Sequence, residues 1–274
     1  MKSSGLPNVS WFRGRLATAW AVVVYLFLYA PLAMILLQSF NSARYGTKWH
    51  GFTTQWYRNL PANESVWEAC VNSLWLAGSS TLVATALGTA LAYGLSRHWF
   101  PGSDTVLRLL PLTVFIPDIL LGVALLLVVG LLQQVHAVLG PGMTAMLIGH
   151  VTFQLPLVAL VVRARMATLD PALEEAAMDL GATRWQTFRH VTLPLLQPGI
   201  GAAALLAFTL SLDDFIVSFC TTGPGATTLP IWIYASAKRG LSPEVHALSS
   251  VLVMAAVALT VALRLVQKKP WFST

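Results

Sequence analysis

Apolar residues run along the chain in long blocks broken by short polar stretches. A membrane-spanning helix needs roughly 20 predominantly apolar residues. Six blocks qualify, at about 16–38, 71–95, 107–132, 141–163, 198–220 and 245–267. The third and fourth are separated only by Gln133, Gln134 and His136 and the turn Gly140-Pro141-Gly142, whereas a longer Gly/Pro-punctuated connection joins the fifth to the sixth. The pattern predicts an all-α membrane protein, with six transmembrane helices forming a single domain over 1–274.

Composition agrees, with 56% of the 274 residues hydrophobic and 10% charged, where soluble domains are nearer a quarter charged. The run from Leu16 to Leu37 follows Lys2, Arg13 and Arg15. It is longer than a signal peptide's apolar region of roughly 7–15 residues and contains Pro31, so it reads as a retained first span. The formal charge of +6 comes from scattered single residues, with no run or face to track phosphates, and this excludes a nucleic-acid partner. The basic residues report topology instead. With the N-terminus inside, inner segments collect Lys2, Arg13, Arg15, Arg97, Arg108, Arg163, Arg165, Arg184, Arg189, Arg264, Lys268 and Lys269. Outer segments hold only Arg44, Lys48, Arg58, Lys238 and Arg239. Both termini are therefore expected in the cytoplasm. Cys70 and Cys220 make neither a scaffold nor a metal-ligand spacing; they read as two small buried residues or as a pair near the outer face.

Three extramembrane segments exceed simple turns. Residues 41–68, outside, carry Trp49, Phe52, Trp56, Tyr57 and Trp67, suited to an interfacial belt or a partner surface. Residues 221–244, also outside, hold Gly223-Pro224-Gly225 and a short apolar stretch around Trp232 and Tyr234, expected as a helix at the interface. The cytoplasmic segment 164–197 is expected to form two short helices. Asp170 with Pro171 signals the first start, and Gly181 a left-handed stop. Thr183 with Gln186 makes a capping box for the second, and Pro194 and Pro198 lead into the fifth span. The first helix sets Ala172, Ala176 and Ala177 beside Glu174, Glu175 and Asp179. Such a helix fits either a partner's groove or the membrane surface.

The string Glu175-Ala176-Ala177, then Gly181, then Val191-x-Leu193-Pro194 resembles the EAA loop of ABC importer permeases, with Val191 where the family usually has isoleucine. The resemblance implies a type I ABC importer permease fold. It also implies a coupling loop, including Glu174, that docks on a separate ATPase subunit. The chain itself has no G-x-x-x-x-G-K-[ST] phosphate loop, no H-E-x-x-H and no nucleophile elbow, so it reads as a permease subunit without enzymatic activity or cofactor.

Three acids fall inside spans. Asp118 and Asp213 lie about 18 Å and about 22 Å from the cytoplasmic start of their helices at 1.5 Å per residue, so the two can meet at one level. Each costs about 2.5–3.5 kcal/mol at the centre of a membrane helix, and no Lys or Arg occupies the middle of a span. A carboxylate cluster without basic neighbours suits a permeating polycation and repels oxyanions; the alternative is that the acids are structural. The stripe Ser211, Asp214, Ser218 makes Asp214 the better lumen candidate, with Asp213 turned toward a neighbouring helix. His150, Thr152 and Gln154 read as helix–helix hydrogen-bonding groups. Trp232 and Tyr234 could stack on an organic cation or serve as interfacial anchors. A channel or ion-coupled carrier could use the same acids, but the EAA-like string speaks against it.

The stretches Ile116-Pro117-Asp118, Ser211-Leu212-Asp213-Asp214, Gly223-Pro224-Gly225 through Leu229-Pro230, and Ser242-Pro243-Glu244 resemble the spermidine/putrescine permeases. Tyr29-Ala30-Pro31 and Phe40-Asn41-Ser42 extend the likeness over nearly the whole chain. It implies a bacterial inner-membrane importer in which two permeases, this chain and a paralogue, pair with two ATPase subunits and a periplasmic binding protein that delivers the polyamine. Another small amine or amino acid in the same importer class is the alternative cargo.

Overall fold

The computed structural model describes residues 9–43, 48–98, 100–135, 140–240 and 243–267. Lys2, Arg44, His136, Ser242, Lys268 and Lys269 lie outside them. The described chain is nearly all helix: α1 (Val9–Gln38), α2 (Gln55–Asn59), a 3₁₀ turn (Leu60–Ala62), α3 (Glu64–Arg97), α4 (Ser103–Phe115), α5 (Asp118–Val135) and α6 (Met143–Met166). Then follow α7 (Ala172–Asp179), α8 (Arg184–Thr187), a π-helical turn (Phe188–Thr192), α9 (Leu193–Asp213), α10 (Ile216–Thr221), α11 (Leu229–Lys238) and α12 (Pro243–Gln267). Among the described residues five helical stretches are long and apolar enough to cross a membrane: Ala17–Gln38, Glu64–Arg97, Asp118–Val135, Met143–Met166 and Arg184–Asp213. Pro243–Ala258 is a shorter apolar helix.

Two of the expected spans are not continuous helices. The block 107–132 breaks between α4 and α5, where Ile116 is extended (φ −66°, ψ 126°). Pro117 causes this, because its ring drives the preceding residue out of the helical region and it lacks an amide proton. The block 198–220 breaks at Asp214, also extended (φ −64°, ψ 124°), with no proline or glycine to announce it. Hydropathy runs through both breaks without a change of sign.

The chain forms two compact units. The unit of 65–233 has its core where α3, α6 and α9 meet, built from Ala92, Val158, Val162, Met166, Leu196, Ala203 and Ala207. Small residues bring these helices close, as in membrane bundles generally. A Cβ on Gly88 would lie 2.7 Å from Val158 Cγ1. Large apolar side chains point outward instead, among them Leu82, Leu127 and Leu205, which is the arrangement lipid requires and water would penalise. At the loop end of this unit, Asn72 donates to the carbonyls of Gly225 and Thr227, and the Leu229 amide donates to Ser73 Oγ. Cys70 and Cys220 are free, half-buried thiols.

The unit of 1–64 and 234–274 packs α1 and α2 against α12. Asn41 organises its connection. The amide nitrogen donates to Gln38 Oε1 and to the Lys48 carbonyl, while its oxygen accepts from the Ala43 and His50 amides. The Trp56 indole N–H donates to the Asn41 carbonyl, and Tyr57 shares 2.6 Å hydrogen bonds with Ser39 and Ser250. Of the aromatics expected at an interface, Trp56 and Tyr57 are thus occupied within the unit, whereas Trp49 and Phe52 are exposed, as is Trp67 at the start of the other unit.

Candidate functional site: a cavity at two helix breaks and the 164–197 loop

The two breaks open onto one cavity of about 530 Å³ in the 65–233 unit. Asp118, Asp213 and Asp214 all line it, with Phe153, Phe215 and an aliphatic wall that includes Leu121, Leu157 and Ile216. The level meeting of Asp118 with the 213–214 pair, expected from helix depths, thus arises from paired interruptions rather than from continuous helices. No lysine or arginine is among the described residues lining this cavity.

Each carboxylate has its own circumstances. Asp118 is exposed and is the first residue of α5, where the positive end of the helix dipole favours its charge. Asp213 is exposed and is the last residue of α9, where the dipole opposes a negative charge. Asp214 is half-buried, and its oxygens accept from the Val217 amide (3.3 Å) and the Ser218 amide (2.8 Å), capping α10. Both members of the pair therefore reach the cavity, in different surroundings. The 100° step between neighbours on a helix does not apply across a break, and Asp213 is the less encumbered acid.

Behind Asp214 lies a buried polar network. His150, fully buried, places Nδ1 2.7 Å from Ser211 Oγ and Nε2 2.9 Å from Ser218 Oγ. Nε2 also lies 3.4 Å from Asp214 Oδ2. Gln154 Nε2 donates to Ser80 Oγ, which is 3.3 Å from Ser211 Oγ. The stripe Ser211, Asp214, Ser218 is real in space, but it faces His150. Trp232 is buried, its indole N–H donating to Ser65 Oγ, and it is not among the cavity-lining residues. Tyr234 belongs to the other unit, where Lys238 Nζ sits 5.0 Å from its ring centre.

The loop at 164–197 folds as its caps dictate. Asp170 Oδ1 accepts from the Ala172 amide, and α7 begins there. Gly181, at φ +90°, ends it in a Schellman arrangement, its amide bonding the Met178 carbonyl and the Ala182 amide the Ala177 carbonyl. Thr183 and Gln186 form the reciprocal capping box. The wide π turn Phe188–Thr192, which includes Val191, feeds into Leu193 and Pro194 at the start of α9. It lies where Pro194 withholds the amide that a regular helix would give to residue 190.

The two glutamates of α7 differ. Glu174 accepts from Arg97 Nε and from Thr192 Oγ1, both at 2.8 Å, tying α7 to the end of α3 and to the π turn. Glu175 is exposed, and its carboxylate makes no hydrogen bond or ion pair among the described residues. Ala176 is exposed and Ala177 half-buried. Leu180 (90% exposed) and Trp185 (66% exposed) add apolar surface to a polar loop. The free acid and this apolar surface give the loop the makings of a docking face.

The sequence pattern described as "Binding-protein-dependent transport system inner membrane component" matches residues 84–269, which include both breaks and the loop. The chain belongs to this family. It is 38% identical over 256 residues to the spermidine/putrescine transport system permease protein PotC of Escherichia coli K12, covering 93% of this chain and 94% of the relative. It is 40% identical over 248 residues to the putrescine transport system permease protein PotI of the same organism, covering 88% and 87%. Its fold is similar to a bacterial ABC transporter chain involved in import of the acidic polysaccharide alginate, with a TM-score of 0.74 over 99% of this chain and 100% of that one at 15% identity. This permease is accordingly a multi-pass inner-membrane protein of a class that is not itself enzymatic.

Proposed function

We propose that this permease is the transmembrane subunit of an ATP-driven importer that carries polyamines, putrescine or spermidine, across the inner membrane. The observation that carries this reading is the cavity with three carboxylates and no lining cation among the described residues. Asp213 stands at the negative end of a helix dipole, so an ammonium group arriving there relieves an unfavourable charge. The aliphatic wall suits the methylene chain between ammonium groups, and Phe153 and Phe215 offer ring faces to a cation. Relatives named for spermidine and putrescine transport support the same cargo.

The chain acts as one permease domain over 1–274, with six spans and both termini in the cytoplasm. It pairs with a paralogous second permease, two ATPase subunits and a periplasmic binding protein. ATP hydrolysis belongs to the ATPase subunits. Coupling passes through the 164–197 loop, with Glu175, Ala176, Leu180 and Trp185 meeting the ATPase while Glu174, Ala177, Gly181, Val191, Leu193 and Pro194 hold the loop's shape. Trp232 and Tyr234 serve as anchors.

Uptake of radiolabelled putrescine and spermidine into proteoliposomes containing the full complex tests this. ATP-dependent uptake, lost in Glu175→Arg together with binding-protein-stimulated ATPase activity, is expected. ATP hydrolysis without movement of either polyamine would leave an importer of some other solute.

A further inference from the structure

We propose that His150 is a positioning residue of the transport path, holding the Asp214 carboxylate and the break between α9 and α10 through a one-way chain of hydrogen bonds. The inference rests on the reading of the acid-lined cavity as the path.

The direction of the chain follows from what each group can do. An ionised carboxylate only accepts, so a ring nitrogen 3.4 Å from Asp214 Oδ2 is disfavoured as an acceptor and favoured as a donor. This assigns the proton of a neutral imidazole to Nε2, shared between Ser218 Oγ and the carboxylate. Nδ1 is then an acceptor and takes the Ser211 hydroxyl proton at 2.7 Å. Ser211 Oγ is in turn free to accept from Ser80, and Ser80 accepts from Gln154 Nε2. The Ser80 proton is shared with the Ala77 carbonyl at 3.4 Å, and from Ser211 onward each donor points toward Asp214.

The geometry is more than a staple between helices. Ser211 lies in the last turn of α9 and Ser218 in α10, so the buried ring of His150 spans the interruption and touches both sides. Gly149, next to it, has no side chain because a Cβ would lie 2.8 Å from Val217 Cγ1 in α10. That close approach lets the ring reach across. Asp214 thereby faces the cavity on one side and is held from behind by the ring and two backbone amides. Position, rather than mere presence, of one path carboxylate is what His150 supplies.

Two substitutions separate positioning from simple packing. Asparagine reaches about as far as Nδ1 and glutamine about as far as Nε2. His150→Asn keeps a partner for Ser211 and loses the donor facing Asp214, whereas His150→Gln restores that donor. In proteoliposomes with the full complex, His150→Asn is expected to raise the KM for putrescine about tenfold, or about 1.4 kcal/mol, with His150→Gln close to the unaltered protein. The His150→Asn effect is expected to vanish in an Asp214→Asn background. Equal KM values for His150→Asn and His150→Gln would overturn the proposal. Should His150→Asn fail to assemble, Ser211→Ala decides, since it removes the hydroxyl that holds the ring to the α9 side of the break; an unaltered KM there is equally fatal. Full uptake by Asp118→Asn, Asp213→Asn and Asp214→Asn alike would instead remove the acid-lined path itself, a separate failure.

Discussion

Glu174 and Glu175 are neighbours in one short helix, and their substitution should impair coupling by different routes. Glu174 has a side chain 14% exposed, and its two oxygens accept from Arg97 and Thr192 at 2.8 Å. Glu174→Ala removes both bonds. It also leaves the Arg97 guanidinium, 21% exposed and with Nη2 already unpartnered, without its counter-charge. A hydrogen bond to a charged group contributes about 1.5–3 kcal/mol, and complete burial of the pair would raise the cost of breaking it further. Partial exposure discounts that larger figure, so we expect a loss of about 2–3 kcal/mol in the docking of α7. That corresponds to roughly a thirty- to 150-fold rise in the detached population. Proteolysis of the loop in the purified complex reads this directly: Glu174→Ala should be cut faster, with ATPase activity no longer answering to the binding protein. Glu175→Ala, whose carboxylate has no internal bond to lose, should resist cleavage like the unaltered chain while coupling falls. If Glu174→Ala were cut no faster than the unaltered chain, the assignment of this acid as an internal tie would be refuted.

Two further substitutions probe the backbone and the core. Gly181→Ala meets no neighbouring atom within 4 Å, yet must hold φ +90°; a cost of about 1 kcal/mol is expected at the end of α7, seen as faster amide exchange in 178–182 with total expression unchanged. Gly88→Ala would press a methyl onto Val158 at the α3–α6 contact. It should lower the complex's thermal midpoint, with Val158→Ala restoring part of the loss, and an unchanged midpoint would count against the close helix approach.

Much of this protein is legible in its sequence. Long apolar blocks have few physical solutions other than membrane helices, so the helical architecture followed from hydropathy. The 164–197 loop was legible in more detail, because N-caps, glycine stops and capping boxes act locally; Gly181 and the Thr183–Gln186 pair behave as their neighbours in sequence imply. The breaks were less accessible. Pro117 offered a signal for the first. At Asp214 there was only a pair of acids in an apolar run, and the decisive partner, His150, comes from α6, distant in sequence. That tertiary contact also sets the two acids in different surroundings, Asp214 bonded and Asp213 exposed, which a helical-wheel argument does not foresee because it presupposes an unbroken helix. The division of labour between Glu174 and Glu175 was hidden for the same reason, as it depends on Arg97 at the far end of α3.

The central claim is that carboxylates at two helix breaks carry a polyamine through this permease. Its most direct test is initial-rate uptake of putrescine by the reconstituted complex with Asp118→Asn, Asp213→Asn and Asp214→Asn introduced singly, assembly and ATP hydrolysis being measured in the same preparations. The account predicts that each variant assembles and hydrolyses ATP yet transports poorly, with Asp213→Asn affected in proportion to its freedom from internal bonds. Full-rate uptake in all three would contradict it.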